Sequence, residues 1–287
     1  MGFRHAVSRI PLAVEVYRRV SIITGARARN RVLRELRGSG YVAGIRISEA
    51  VHSFRRALSD DDQKYIRRIE DERTRLLGRD DPLADGSLGE DGPFDAGVTI
   101  HDAGVAGKEP RGARLLFLVT RALEPRNVIE LGTNVGISSA YIGAALQLNG
   151  QGGTLVTLDA SRYRLRLARA VHDSVGLGNI TYVEGLFANS LRSTLARVGL
   201  VDLVFFLGHH EYEPTLNYFE DILSHSSRDA VFVFDGIRWS DGMRRAWSEI
   251  QADTRLGLVV DLHFLGIGAR HDEQVAERLV SDHIRVF

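Results

Sequence analysis

The chain has 287 residues, 44% of them apolar, and a formal net charge of zero from 37 basic and 37 acidic side chains. That is enough apolar mass for one large α/β unit with an extension, and no stretch reaches the roughly 18 to 20 uninterrupted apolar residues that span a bilayer. Without cysteine, disulfide scaffolds, thiolate catalysis and Cys-based zinc or iron–sulfur sites are excluded, which leaves His and carboxylates as metal ligands.

The N-terminus has scattered Arg4, His5 and Arg9 rather than a signal-peptide h-region and cleavage site, so a cytoplasmic location is expected. Residues 1–37 hold nine arginines against Glu15 and Glu35, and the remainder is net acidic. Solvated faces of amphipathic helices explain this most simply; an acidic membrane surface, RNA or the chain's own acidic body are the alternatives, with nucleic acid disfavoured. Apolar residues recur at helical spacing at Val14, Tyr17, Ile22 and Ile23, at Val32, Leu33 and Leu36, and at Ile66, Ile69, Leu76 and Leu77. Their stripes suggest a homodimer through these helices. "SDDDQKYIRRIEDERTRLLG" is the clearest helix, with Ser59 or Asp60 as cap, acids in its first turn and Gly78 at its end. Residues 79–97 turn rich in Gly, Asp and Pro. The boundary therefore falls there, with 1–97 a helical extension, lid and linker and 98–287 a second unit.

In that unit strand-like runs alternate with helical patterns: "NVIEL" (127–131), "TLVTLD" (154–159), "ITYVEG" (180–185), "VDLVFFL" (201–207), "AVFVFD" (230–235) and "GLVVDLHF" (257–264). Short buried strands joined through helices imply right-handed crossovers and a Rossmann-like, doubly wound, mainly parallel sheet. Such sheets bind ligands at the carboxyl ends of their strands.

After the first strand, Gly132 and Gly136 let the backbone turn and approach a ligand at a helix N-terminus. Their G-x-x-x-G spacing suits a dinucleotide poorly and lacks the Lys-Ser/Thr of a P-loop. Asp159, ending the second strand, is placed to accept both hydroxyls of a ribose or to cap the following helix. Glu130 adds a carboxylate that, facing the cleft, suits a cationic ligand bearing an amino group or a sulfonium. The fourth strand opens onto His209 and His210, as metal ligands, a catalytic base or ordinary surface residues.

"VIELGTNVGISSAYIGAAL", "VTLDA", "NITYVEGLF", "VDLVFFLGHHEYEPTL" and "VFVFDGIRWSDGMRRAW" together resemble, in order and spacing, the motifs of class I S-adenosylmethionine-dependent methyltransferases of the catechol O-methyltransferase-like branch. The likeness spans roughly residues 105 to 270. It implies a seven-stranded methyltransferase sheet in residues 98–287, with S-adenosyl-L-methionine as cofactor and a small-molecule acceptor. It implies further that Glu130, Gly132, Thr133, Asn134, Gly136 and Ser138 surround the methionine part, that Asp159 holds the ribose, that Gly185, Leu186 and Phe187 lie near the adenine, and that Leu207 and Gly208 join the binding set.

Members of this branch commonly carry acids after strands four and five that hold a divalent cation. Here Leu207 and Gly236 replace two of them and Asp235 remains, so no metal is expected at a site where Mg²⁺ wants about six oxygens. Adjacent His209 and His210 rarely converge on one metal, which disfavours a soft-metal site with Asp235. His210 stands where the resemblance places the proton acceptor, and with an ordinary imidazole pKa of about 6.5 it serves as general base near neutral pH, oriented by Asp235. His209 reads as a surface residue. Arg238 offers an anion handle, Trp239 a stacking surface or core packing, and His101 and Lys108 read as solvated lid residues. Two competing readings are a catalytically weak or inactive S-adenosylmethionine-binding protein acting through its basic arm, motivated by the missing acids, and a nicotinamide dehydrogenase, disfavoured by the glycine spacing.

Overall fold

The computed structural model describes residues 30–270, apart from 32, 55, 84–87, 90–91 and 94–97, together with residues 279–281. The basic arm up to residue 29, with its apolar stripe at Val14, Tyr17, Ile22 and Ile23, lies outside the described residues, as does Val32. No described helix is long and apolar enough to cross a membrane.

Eight strands form one sheet: β1 (Asn127–Leu131), β2 (Thr154–Asp159), β3 (Ile180–Glu184), β4 (Val201–Phe206), β5 (Ser226–Asp235), β6 (Leu256–Asp261), β7 (Leu265–Arg270) and β8 (Leu279–Ser281). Their order is β8-β6-β7-β5-β4-β1-β2-β3, so β3 is one edge. Every neighbouring pair is parallel except those of β7, which runs antiparallel to both β5 and β6.

Helices α1 (Val42–Ser53), α2 (Asp60–Leu77), α3 (Ile100–Val105), α4 (Pro110–Leu123), α5 (Ile137–Asn149) and α6 (Arg162–Val175) belong to one side. There Ile47, Ile69, Leu115, Ile142 and Val171 share a core with Val128, Phe205 and Val233 of the sheet. Helices α7 (Phe187–Val198), α8 (Tyr212–Leu223) and α9 (Asp241–Ala252) cover the other, where Leu191, Phe219 and Trp247 meet Ile129, Val204 and Phe232. Neighbouring residues of a strand point to opposite faces, and with both faces covered the buried positions of β4 are all apolar, its run broken only by half-buried Asp202 near the start. Helix α2 begins as its acidic first turn predicts: Ser59 caps it, accepting from the Asp62 amide in a reciprocal capping box, and Gly78 ends it.

One expectation needs correction. The run 257–264 is not one strand, because the Asp261 carboxylate accepts the His263 amide at 2.8 Å and His263 adopts φ 75°. This side-chain turn reverses the chain into β7. The seven strands expected of the sheet are present as β1 to β7, and the three residues of β8 add a further edge strand by pairing with β6.

Candidate functional site

The loop after β1 is held by close backbone contacts. Gly132 has φ +105°, and a Cβ there would stand 2.9 Å from the Gly208 amide nitrogen, so the ends of β1 and β4 approach each other only because residue 132 has no side chain. Gly136 has φ +86° and would press a Cβ to 2.7 Å from Ala168 of α6. Both glycines thus serve chain packing, whatever approaches the loop. Buried His172 of α6 supports the turn: its Nε2 donates to the Gly136 carbonyl at 2.8 Å, which leaves Nδ1 to accept from the Tyr182 hydroxyl at 2.7 Å. Burial lowers the His172 pKa to about 4 and so keeps it neutral.

Asp159 ties this loop to the end of β2. Its Oδ2 accepts the Asn134 amide at 2.8 Å and its Oδ1 the Ser161 amide at 2.9 Å. It does not cap α6; Ser161 does, accepting from the Arg164 amide. Asn134, at φ 48°, donates through Nδ2 to the Ala103 carbonyl of α3 at 2.8 Å, while its buried Oδ1 has no hydrogen-bond partner. Gly185 donates its amide to the Asp159 carbonyl at 3.0 Å. Leu186 then caps α7, and Phe187 is buried edge-on against Tyr218.

Glu130 does not face the cleft. Alternation along β1 turns it, with its cross-strand neighbours Thr157 and Phe205, toward α5, where it is fully buried. Its Oε2 accepts from Thr157 Oγ1 at 2.5 Å, and Thr157 in turn meets Thr133 Oγ1 at 2.6 Å. Oε1 forms no hydrogen bond. Burial, and to a lesser degree the charge of Asp159, raise the Glu130 pKa to about 7 against the opposing pull of the Ser138, Thr157 and Ser139 hydroxyls.

A cavity of about 50 Å³ lies at the carboxyl ends of β1, β4 and β5. Thr133, Asn134 and Ser138 form one wall, Leu207 and Asp235 another, and residues 106–108 the cover. The solvated reading of Lys108 is overturned, since its side chain is only 8% exposed and its ammonium pairs with the Asp235 carboxylate. The Phe264 ring lies 5.2 Å from Nζ, and buried Arg73 of α2 grips the Lys108 carbonyl at 2.7 Å. Glu109 caps α4 and Pro110 opens it, which places Lys108 just outside the helix. His101 is likewise engaged, through Nδ1 to the Leu77 carbonyl at 2.6 Å.

His210 does not line this cavity; its ring lies next to Asp235, against Gly236, where a Cβ would be 3.3 Å from Cε1, and 6.4 Å from the Trp239 ring. His209 is no plain surface residue: its side chain is 9% exposed and its Nε2 lies 3.7 Å from Glu211, with Nδ1 3.2 Å from the Tyr218 hydroxyl. Arg238 is unsuited as an anion handle, because it makes a two-pronged pair with buried Asp261 at 2.8 and 2.9 Å. Trp239 is not core packing; it is 78% exposed. Sequence reasoning missed Arg73, His172 and the pairing of Lys108. The last left one signal, since Lys108 and Lys64 are the only lysines among 37 basic residues.

Residues 129–237 match the family described as "Methyltransferase domain". Similar solved structures include an O-methyltransferase from Bacillus cereus in complex with S-adenosylhomocysteine, 19% identical with a TM-score of 0.54 over 78% of this chain and 96% of that one. An S-adenosylhomocysteine-bound methyltransferase from Podospora anserina is 14% identical, with a TM-score of 0.57 over 93% of this chain and all of that one. An O-methyltransferase of tomaymycin synthesis from Streptomyces achromogenes, in complex with S-adenosylmethionine, is 21% identical, with a TM-score of 0.50 over 58% and 82% of the two chains. No curated protein matches the chain in sequence. Residues 129–237 thus match a methyltransferase domain, and the chain shares the Rossmann-like fold of these solved methyltransferases.

Proposed function

We propose that the chain transfers a methyl group from S-adenosylmethionine to an oxygen of a small-molecule acceptor, with His210 as general base and without a divalent metal. The observation that carries this reading is the shared cavity of the Gly132–Gly136 loop and the ends of β4 and β5 within the matched methyltransferase segment. The polar groups suit the cofactor: unpartnered Asn134 Oδ1 accepts from a donor such as its ammonium, and Asp159 is the acid for a ribose. A nucleoside-sized ligand exceeds the enclosed 50 Å³, since such pockets run to roughly 300 Å³ or more; in this reading the rest of it extends along the strand ends toward Asp159. Residues 98–287 then form the methyltransferase domain and 1–97 its extension. When bound, the cofactor supplies an activated methyl, and the chain's part is to align the acceptor oxygen with it and to remove the hydroxyl proton. His210, against Gly236 and next to the end of β5, is the candidate for that proton.

Calorimetry with S-adenosylhomocysteine and NAD tests the cofactor, with binding of the former alone expected. A panel of phenols, sugars and lipids, assayed with S-adenosylmethionine in EDTA, then tests turnover. His210→Ala is expected to lower kcat by about a hundredfold with S-adenosylhomocysteine affinity nearly unchanged; a full-rate variant removes the base. The replacement of two of three expected acids by Leu207 and Gly236 favours one second reading, a cofactor-binding protein without turnover that acts through its basic arm. Tight S-adenosylhomocysteine binding with no methylation across the panel supports it.

A further inference from the structure

The acceptor end of the cavity has one carboxylate, Asp235, flanked by Leu207, which has no lone pair, and Gly236, which has no side chain. Among the described residues no group of three His, Asp or Glu side chains is placed to hold a metal ion. These residues do not fit a hard divalent cation that takes about six oxygens. The charge of Asp235 is instead met from within the chain.

We infer that Lys108 is the resident cation of this site: its ammonium occupies the place on Asp235 that a divalent metal takes in the resembled enzymes, and presents a fixed positive charge to the acceptor oxygen. The inference rests on the methyl-transfer reading. Three contacts make Lys108 a fixed group rather than a loose surface chain: the Asp235 ion pair, the Phe264 ring beneath the ammonium, and Arg73 on its carbonyl. Its side chain is almost wholly withdrawn from solvent, where a charge acts more strongly than in water. An ammonium has three N–H donors; one serves Asp235, and the cavity that Lys108 lines gives the others access to an acceptor. As the acceptor oxygen's lone pair forms the new C–O bond, the C–S bond breaks with its electrons returning to sulfur. The hydroxyl proton passes to His210. Lys108 keeps its own proton throughout and steadies the negative charge that gathers on oxygen as its proton leaves for His210, before the C–O bond takes up that electron pair.

Mn²⁺ binding, read by electron paramagnetic resonance on the full chain, tests the placement. Wild-type protein is expected to bind Mn²⁺ weakly. Lys108→Asp, which sets a second carboxylate opposite Asp235, is expected to bind at least about tenfold more tightly, and adding Asp235→Asn is expected to abolish the gain. Tight wild-type binding that Asp235→Asn removes overturns the inference, as does a Lys108→Asp protein no better than wild type. Should that variant fail to fold, acetic anhydride labelling resolved by mass spectrometry reads the same placement in the wild type. Exposed Lys64 is the internal standard, and Lys108 labelling at the Lys64 rate overturns the inference. The role of the charge is read by Lys108→Met, expected to cut methyl transfer about a hundredfold while S-adenosylhomocysteine affinity, by calorimetry, stays within about threefold; an unchanged rate rules the role out. Absence of wild-type S-adenosylhomocysteine binding defeats the methyl-transfer reading itself, and the Mn²⁺ and labelling results still judge where Lys108 sits.

Discussion

Glu130 and His172, both buried beneath or beside the Gly132–Gly136 loop, bias stability with pH in opposite directions. Glu130 has a folded pKa raised from 4.5 to about 7, so between those values the folded state holds the extra proton. Its contribution is full below pH 4.5 and is lost as pH rises through 7. His172 has a folded pKa lowered from 6.5 to about 4, so here the unfolded state holds the extra proton. Its contribution is full above pH 6.5 and is lost as pH falls through 4. Each proton corresponds to a slope of about 1.4 kcal/mol per pH unit, and the two windows overlap between roughly 4.5 and 6.5. Where they overlap the slopes oppose each other. Denaturant unfolding across pH 4.5 to 6.5 is expected to show stability rising with pH in Glu130→Gln and falling with pH in His172→Gln, relative to wild type. Glutamine suits the second test because its amide supplies a donor for the Gly136 carbonyl and an acceptor for Tyr182. Parallel pH profiles in all three proteins contradict the assignment.

At the scale of elements, α2 reaches the cavity through one side chain. Arg73 pairs with Glu70 at 3.0 Å and donates to the Lys108 carbonyl, while Tyr141 of α5 donates to Glu70 at 2.8 Å. Arg73→Met keeps much of the buried stem and removes these bonds; it is expected to lower stability by about 1 to 3 kcal/mol and to raise the labelling rate of Lys108 but not of Lys64. Equal labelling before and after the change shows that α2 does not position the loop. The same contact shows what was legible in the sequence and what was not. Strands β1, β2, β4 and β5 were readable because burial on two faces leaves largely apolar runs, and the edge strand β3 through its β-branched and aromatic residues Ile180 to Val183. Strand β7, "LGIGAR", was not, since two glycines dilute its pattern, and packing requires them: a Cβ at Gly266 would lie 2.5 Å from the Trp247 ring, and one at Gly268 2.8 Å from Leu256. In the site, the loop glycines, Asn134, Asp159 and Asp235 stood at strand ends where such sheets bind ligands. The pairing of Lys108 with Asp235 was hidden because its partner is 127 residues away and its loop has no periodicity to interpret.

Across the whole molecule, the sheet is protected unequally. Its middle strands are covered on both faces by helices of the two cores, while β3 pairs only with β2 among the described residues and exposes Thr181 and Glu184. A strand edge left with free amides and carbonyls is a template for another chain. Here the row is only five residues long and ends in Glu184, whose charge Arg162 meets at 2.9 Å. A neighbouring molecule adding a strand there would have to strip water from that pair. Thr181→Val combined with Glu184→Val, apolar and β-branched at both positions, is therefore expected to leave the fold in place by circular dichroism yet scatter light on gentle heating well before wild type does. If the double variant stays as clear as the parent, solubility is guarded elsewhere. Otherwise a surface ion pair of small energetic worth to the folded chain earns its place by keeping copies of the protein apart.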